Sequence, residues 1–333
     1  MRRILVGITT VLLLSSCSAQ PTVTALPSPS GAPSPAVALP SLPVSPSPDA
    51  SPPVQRKCAI FPADNVWHAD VSRLPVNAKS PAWVKTIGAA THAHPDFGSD
   101  FGIPVTPVPA GQATAKVHFD YADESDKSGY PIPKNVKIED GGDAHIILFD
   151  STTCKDFELY AAHRGGDGSW QAGSGAIYDL RSNALRRAGF TSADAAGLPI
   201  LPGLVRYDEV AAGHVDHAIR FTVPRTQNRF VWPARHAASS STDAALPPMG
   251  ARFRLKSTVD TSHMSKPARV IAEAMKKYGL ILADNGSSWF FSGAPDSRWN
   301  NEALDDLKSL TGANFEAVDT SGLVADPNSG RCK

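Results

Sequence analysis

The sequence predicts a mainly β, α+β fold: a single sandwich- or jelly-roll-like domain decorated by about three helices. Three observations lead there. Short runs rich in Val, Ile, Phe and Tyr recur between clusters of Gly, Asp, Ser and Pro, the pattern of strands and turns. Helical periodicity is confined to three segments, all short. From residue 58 onward there is neither an internal repeat nor a Pro- or Ser-rich linker that would divide the chain.

The N-terminus stands apart from this domain. Met1-Arg2-Arg3, an apolar run over 4–14 and Ser15-Ser16 before Cys17 read as a signal peptide over 1–16, its apolar run too short to span a bilayer. Leu14-Ser15-Ser16-Cys17 resembles the bacterial lipobox, which implies diacylglyceryl transfer to Cys17 and firm anchoring without a transmembrane helix. The expected location is extracytoplasmic, lipid-anchored to the cell membrane, with the lipid bilayer as first partner. Residues 17–57 follow as a tether. Of the 29 prolines in the chain, 11 fall within 21–53, and Asp49 is the only charge between 18 and 55. Such a stretch cannot bury enough apolar surface to fold, and as polyproline II it would extend on the order of 100 Å.

The globular domain is then 58–333, and it is close to neutral: 28 basic and 31 acidic residues remain. With no basic excess and no like-charge block, a nucleic-acid partner is not expected. Nucleotide binding has no glycine-loop motif to support it, and neither Gly-x-Ser-x-Gly nor His-Glu-x-x-His occurs. Strands are expected over 115–121, 145–150, 157–163, 175–180, 204–210, 215–223, 229–232 and 251–259. Helices are expected over 81–90, 266–278 and 301–310. The second carries the stripe Val270, Ile271, Ala274, Met275 and Tyr278 between Ser265 and Gly279; the third lines up Ala303, Leu304, Leu307 and Leu310. Cys58, Cys154 and Cys332 remain to pair, and an exported protein would form one disulfide from them. Cys58–Cys154 is favoured over Cys58–Cys332, because Cys332 follows the turn-rich tail 326–330.

Several segments carry a resemblance. Phe61-Pro62-Ala63-Asp64-Asn65-Val66-Trp67 resembles the opening motif of a group of exported bacterial proteins common in actinobacteria and other soil bacteria. Tyr178-Asp179-Leu180, Ser192 to Pro199, Leu204 to Val210, His217 to Thr222, Trp232 to His236 and Ala283 to Ser287 complete the likeness over 58–320. The resemblance implies a single exported domain and supplies no activity. His68 departs from it, since asparagine is expected after Trp67, which argues against a catalytic role there.

Candidate chemistry centres on 204–223, read as a hairpin turning at Ala212-Gly213. That register sets Asp208 opposite His217 on one face and Glu209 opposite Asp216 on the other, with Tyr207 and Arg220 nearby. Asp208 with His217 would be a general base and its orienting partner, or else a structural pair beneath a sheet. Glu209 with Asp216, carboxyl groups about 5 Å apart, would suit a retaining glycosidase, or else form a solvated face balanced by Arg220. Trp289 and Trp299 beside polar loops suit sugar stacking, and also suit the packing of loops over a core. His236 is a further substrate-binding candidate. No cofactor is expected; the alternative is a transition metal held by His145, His217 and His236.

These features predict a surface-tethered enzyme acting on extracellular or cell-wall polysaccharide. Asp208, Glu209, Asp216 and His217 would be catalytic, and Tyr207, Arg220, His236, Trp289 and Trp299 would bind substrate. A uronate lyase, with Arg220 neutralising the acid, is the chemical variant. A non-catalytic glycan- or wall-binding lipoprotein and a metal-dependent exported hydrolase are the alternatives.

Overall fold

The structure, a computed structural model, describes residues 58–333. The segments read from the sequence as signal peptide (1–16), lipidated Cys17 and tether (17–57) lie outside the described residues. In chain order the elements are helix α1 (Ser80–Ile87) and strands β1 (His94–Asp96), β2 (Val105–Pro107), β3 (Val117–Phe119), β4 (Ile146–Asp150), β5 (Lys155–Tyr160), β6 (His163–Arg164), β7 (Trp170–Ala172) and β8 (Ser174–Asp179). Then come α2 (Tyr207–Ala212), β9 (Ile219–Val223), β10 (Arg252–Leu255), α3 (Lys266–Lys277), β11 (Leu280–Asn285), β12 (Phe290–Ser292), α4 (Asn301–Asp305) and β13 (Phe315–Ala317). The fold is mainly β in the α+β class, as the sequence predicts.

Three mixed sheets organise these strands. The largest runs β1-β12-β9-β11-β10-β13, the second β2-β4-β5-β8 and the third β3-β7-β6. Strand alternation explains how the second sheet serves two cores. Ile147 faces the main core with Val66, Trp67, Ile219, Phe221 and Phe253. Its neighbours Ile146 and Leu148 face a smaller core with Tyr130, Phe157, Leu159 and Trp170. Helix α3 lays the predicted apolar stripe on the large sheet, burying Ile271, Ala274 and Met275. Gly279, at φ +69°, turns the chain into β11 where a Cβ would collide with the Phe253 carbonyl. Ser265 does not cap α3 through its side chain; its hydroxyl donates to Ala303 O at 2.7 Å. The two ends of the domain run together: Val66 N donates to Gly330 O at 2.7 Å and Cys332 N to Asp64 O at 2.8 Å.

The expected hairpin over 204–223 does not form. Residues 207–212 are the helix α2, and only 219–223 is strand. Asp208 and Glu209 occupy its first turn, and Gly213 closes it at φ 93°, its N–H bonding Glu209 O and Val210 O. Acids at the positive end of the helix and a left-handed glycine stop outweigh the two-residue alternation read from the sequence. Residues 229–232 make a single bridge, Phe230 to Met249, in place of a strand. The disulfide is also corrected: Cys58, Cys154 and Cys332 are free thiols, no pair standing at bonding distance. Burial and a hydrogen bond with Cys154 push the Cys58 thiol up to about 12.

Candidate functional site

Dissolving the hairpin scatters the residues expected to be catalytic. Asp208 is exposed on α2 and pairs with Arg298 at 2.9 Å. Glu209 turns inward to Arg206 and to His217 Nε2 at 3.2 Å. Burial works against its charge, but Arg206 and His217 hold the carboxyl down at about 2, a structural ion pair with no proton to exchange near neutrality. His217 gives its other nitrogen to Ala218 O at 2.7 Å. Asp216 is exposed beside His214 at 2.9 Å, away from Glu209. Tyr207 packs edge-on against Trp299 at 5.0 Å, beneath the Arg298 guanidinium. Neither tryptophan is a sugar platform. Trp289 is stacked between Phe221 and Phe315 in the core, and Trp299 is buried against Phe97. Large aromatic rings gain most by leaving water, and here packing takes them.

What the sheet does assemble is a charge cluster around Arg220. Strand β9 carries this side chain into the interior, only 4% exposed. The neighbouring Gly203 makes room, since a Cβ there would stand 2.9 Å from both Arg220 Cβ and Trp67. The guanidinium grips both oxygens of Asp194 at 3.0 Å and donates to Ser292 Oγ at 2.7 Å. Asp194 is fixed in turn by its own loop: Ser192 Oγ accepts from Asp194 N, and Gly197, left-handed at φ +70°, donates to Asp194 O. Asp284 completes the group at 3.9 Å from the same Arg220 nitrogen. Its placement depends on a bulge. Leu282 pairs with Phe221 and Asp284 with Thr222, so Ala283 is the extra residue. That step moves Asp284 onto the side of β11 that faces Arg220 and Thr222.

Asp284 opens on a cavity of about 420 Å³ with Tyr121, Glu124, Asp143, Tyr160 and His236. Burial and the negative charge of Asp194 raise its carboxyl to about 7, against the pull of Arg220. A carboxylic acid poised near neutrality in a cavity is equipped to give a proton and take it back. His236 donates from Nδ1 to Ala195 O at 2.8 Å, which in the neutral ring leaves Nε2 as an acceptor. Three of the segments that carry the family resemblance, around Asp194, His236 and Asp284, converge on this one cavity.

His145 links the cluster to a second depression. One ring nitrogen pairs with Glu139, the other reaches Ala193 O at 3.1 Å. Burial disfavours charge on both, but their mutual bond holds Glu139 low and His145 high. Glu139 lies with Asp96, Asp100, Phe101, Lys137 and Asp296 around about 700 Å³ of open surface. That hollow is larger; the Asp284 cavity is distinguished from it by a half-buried carboxyl raised to about 7. Behind the cavity, Asp156 and Glu158 stand fully buried on β5. Glu158 accepts from Ile200 N and Leu201 N at 2.7 and 2.8 Å. Burial raises both carboxyls, Glu158 to about 6 and Asp156 well above its ordinary range. Both Asp156 oxygens and Glu158 Oε2 are buried without a hydrogen-bond partner, which favours the neutral acid at Asp156 over a buried carboxylate.

The three histidines expected to share a metal are apart: His145 is bound to Glu139, His217 to Glu209 and His236 to Ala195. Among the described residues no cluster of three or more His, Cys, Asp or Glu is arranged to hold an ion. No helix among them is long and apolar enough to cross a membrane. Comparison with protein-family models, with curated proteins and with solved structures returns no match to the chain.

Proposed function

We propose that this chain is an exported lipoprotein, anchored through Cys17 and displayed on its tether, that hydrolyses glycosidic bonds in extracellular or cell-wall glycan at the Asp284 cavity. The observation that carries the reading is the half-buried Asp284 carboxyl, raised to about 7 in a cavity it shares with Tyr121, Tyr160 and His236. Asp284 takes the acid role expected of Asp208, Glu209 and Asp216. It protonates the glycosidic oxygen as the bond to the anomeric carbon breaks. Water adds to that carbon, and its proton passes to His236 Nε2 before returning through solvent to Asp284. Arg220 and Asp194 are positioning residues; they set the field at Asp284 without touching substrate. The lyase variant loses support, because Arg220 is consumed by Asp194 and Ser292 and has no free edge for a uronate.

Glycan binding without cleavage is the second reading. It is favoured by Tyr121, a residue 58% exposed at the cavity, whose ring offers a stacking face. Incubating the full chain with a panel of bacterial and plant polysaccharides and measuring released reducing ends separates the two. Cleavage lost in Asp284→Asn and His236→Ala but kept in Asp208→Asn supports hydrolysis. Cleavage indifferent to Asp284→Asn overturns the site. Binding without cleavage, abolished by Tyr121→Ala, establishes the second reading.

A further inference from the structure

We infer that Cys58 and Cys154 together hold one soft monovalent cation, copper(I), between their sulfurs. The inference is independent of what the Asp284 cavity does. Both residues are free thiols. Cys58 is the first described residue, and Cys154 sits in the turn between β4 and β5. Folding brings the two thiols into hydrogen-bond contact with each other, in one surface hollow of about 410 Å³ that both residues line. The turn is fixed by the Leu180 N–H, which bonds Cys154 O at 3.0 Å. Neither sulfur is spent elsewhere on a strong partner: Cys154 Sγ makes only a weak contact with Ala59 O, at 4.0 Å.

Two sulfurs side by side are the whole donor set that copper(I) needs, and thiolate is the soft ligand that selects it. Zinc is excluded by count. It takes four ligands, and the lining of the hollow offers no imidazole and no carboxylate. Asp150, the acid whose charge reaches Cys58, already accepts from Thr152 N, Thr153 N and Thr153 Oγ1. Charge fits as well. Two thiolates around one copper(I) leave one negative charge in excess, and Arg181 lines the same hollow. Its pull on the Cys58 thiol exceeds the opposing push of Asp150, although it also bonds Asp179 at 3.2 Å. Phe61, Pro62 and Leu180 add apolar lining, which limits the access of water to the metal. Binding breaks two S–H bonds and forms two S–Cu bonds; both protons pass to solvent, and copper keeps its oxidation state.

The test is anaerobic titration of the reduced full chain with copper(I) buffered by a chromophoric chelator. One copper(I) per chain is expected to leave the chelator, with a rise in near-ultraviolet thiolate–copper absorption. Affinity should increase with pH, because the metal displaces thiol protons. Cys58→Ser and Cys154→Ser should each weaken binding by more than about a hundredfold, beyond what a neighbour that is not itself a ligand contributes. Cys332→Ser should leave binding unchanged, since that thiol is outside the hollow, and Cys17→Ser should do likewise. Cys58 is half-buried, so its serine variant keeps the test decisive where the buried Cys154 tolerates no change. No transfer from the chelator, or transfer that survives in Cys58→Ser, would overturn the inference.

Discussion

Arg220 and Asp194 meet inside the protein through two hydrogen bonds of 3.0 Å, with neither side chain more than 5% exposed. A two-pronged pair this deep holds together only while both members are present, because each is the other's solvent. Arg220→Met should cost about 3–5 kcal/mol in urea unfolding, by leaving the Asp194 carboxylate buried and alone. Arg220→Lys should recover little, since an ammonium cannot reproduce the planar fork. A methionine variant with an unchanged denaturation midpoint would contradict this account.

Asp284 ties activity and stability to pH in a defined direction. Its acid form dominates below about 7, so kcat/KM should fall about tenfold per pH unit on the alkaline side. Stability follows the same group. Its folded value lies above the ordinary 3.8, so the folded domain keeps a proton that the unfolded chain has released. The contribution is full at low pH and is lost as pH rises from the ordinary range through about 7. Asp284→Asn, a mimic of the neutral acid, should stabilise by more than ~1 kcal/mol at about pH 8 and do nothing at about pH 3. Thermal melts of both proteins across that range decide it.

Glu209 has the opposite sign. Its folded value falls from 4.5 to about 2 through Arg206 and His217, in spite of burial. The stabilisation is complete above 4.5 and disappears as pH falls towards 2. Glu209→Gln should cost up to about 3 kcal/mol at neutral pH and nothing at about pH 2. Equal destabilisation at both ends would mean that shape, and not charge, is what the variant removes.

Gly203 offers a test of packing alone. A methyl group there would meet Arg220 Cβ and Trp67 at 2.9 Å and Arg220 N at 3.0 Å. Gly203→Ala should destabilise by about 1–3 kcal/mol and shift the pH dependence assigned to Asp284, because the Arg220 backbone must move. An alanine variant with wild-type melting and an unmoved pH profile would show that the wall can give way.

Much of the scaffold was legible in the chain. The apolar runs over 145–150 and 175–180 became β4 and β8, and the stripe from Val270 to Met275 became the buried face of α3, because both periods are long enough to repeat. Strands of three residues such as β1, β12 and β13 contain too few positions to show a period. The 204–223 stretch alternates like a hairpin, but helix-end chemistry outweighs the alternation: Asp208-Glu209 in the first turn and Gly213 as the left-handed stop make 207–212 a helix. The Asp284 cavity was legible only in pieces. Asp194, His236 and Asp284 stand in segments singled out from the sequence, but a tertiary crossover and the one-residue bulge at Ala283 bring them together. Neither leaves a local trace.

The joining of Asp64 and Val66 to Gly330 and Cys332 has a meaning in time as well as in space. A chain is made from its N-terminus, and Asp64 and Val66 are made more than 260 residues before their partners Gly330 and Cys332. Until they emerge, Val66 has no acceptor and the main core has an open seam around Trp67. The domain therefore closes as a final act, with the slow, long-range pairing that such topology entails. Late closure leaves the half-made domain open along that seam, so its stability arrives in one step with the contacts around Gly330 and Cys332.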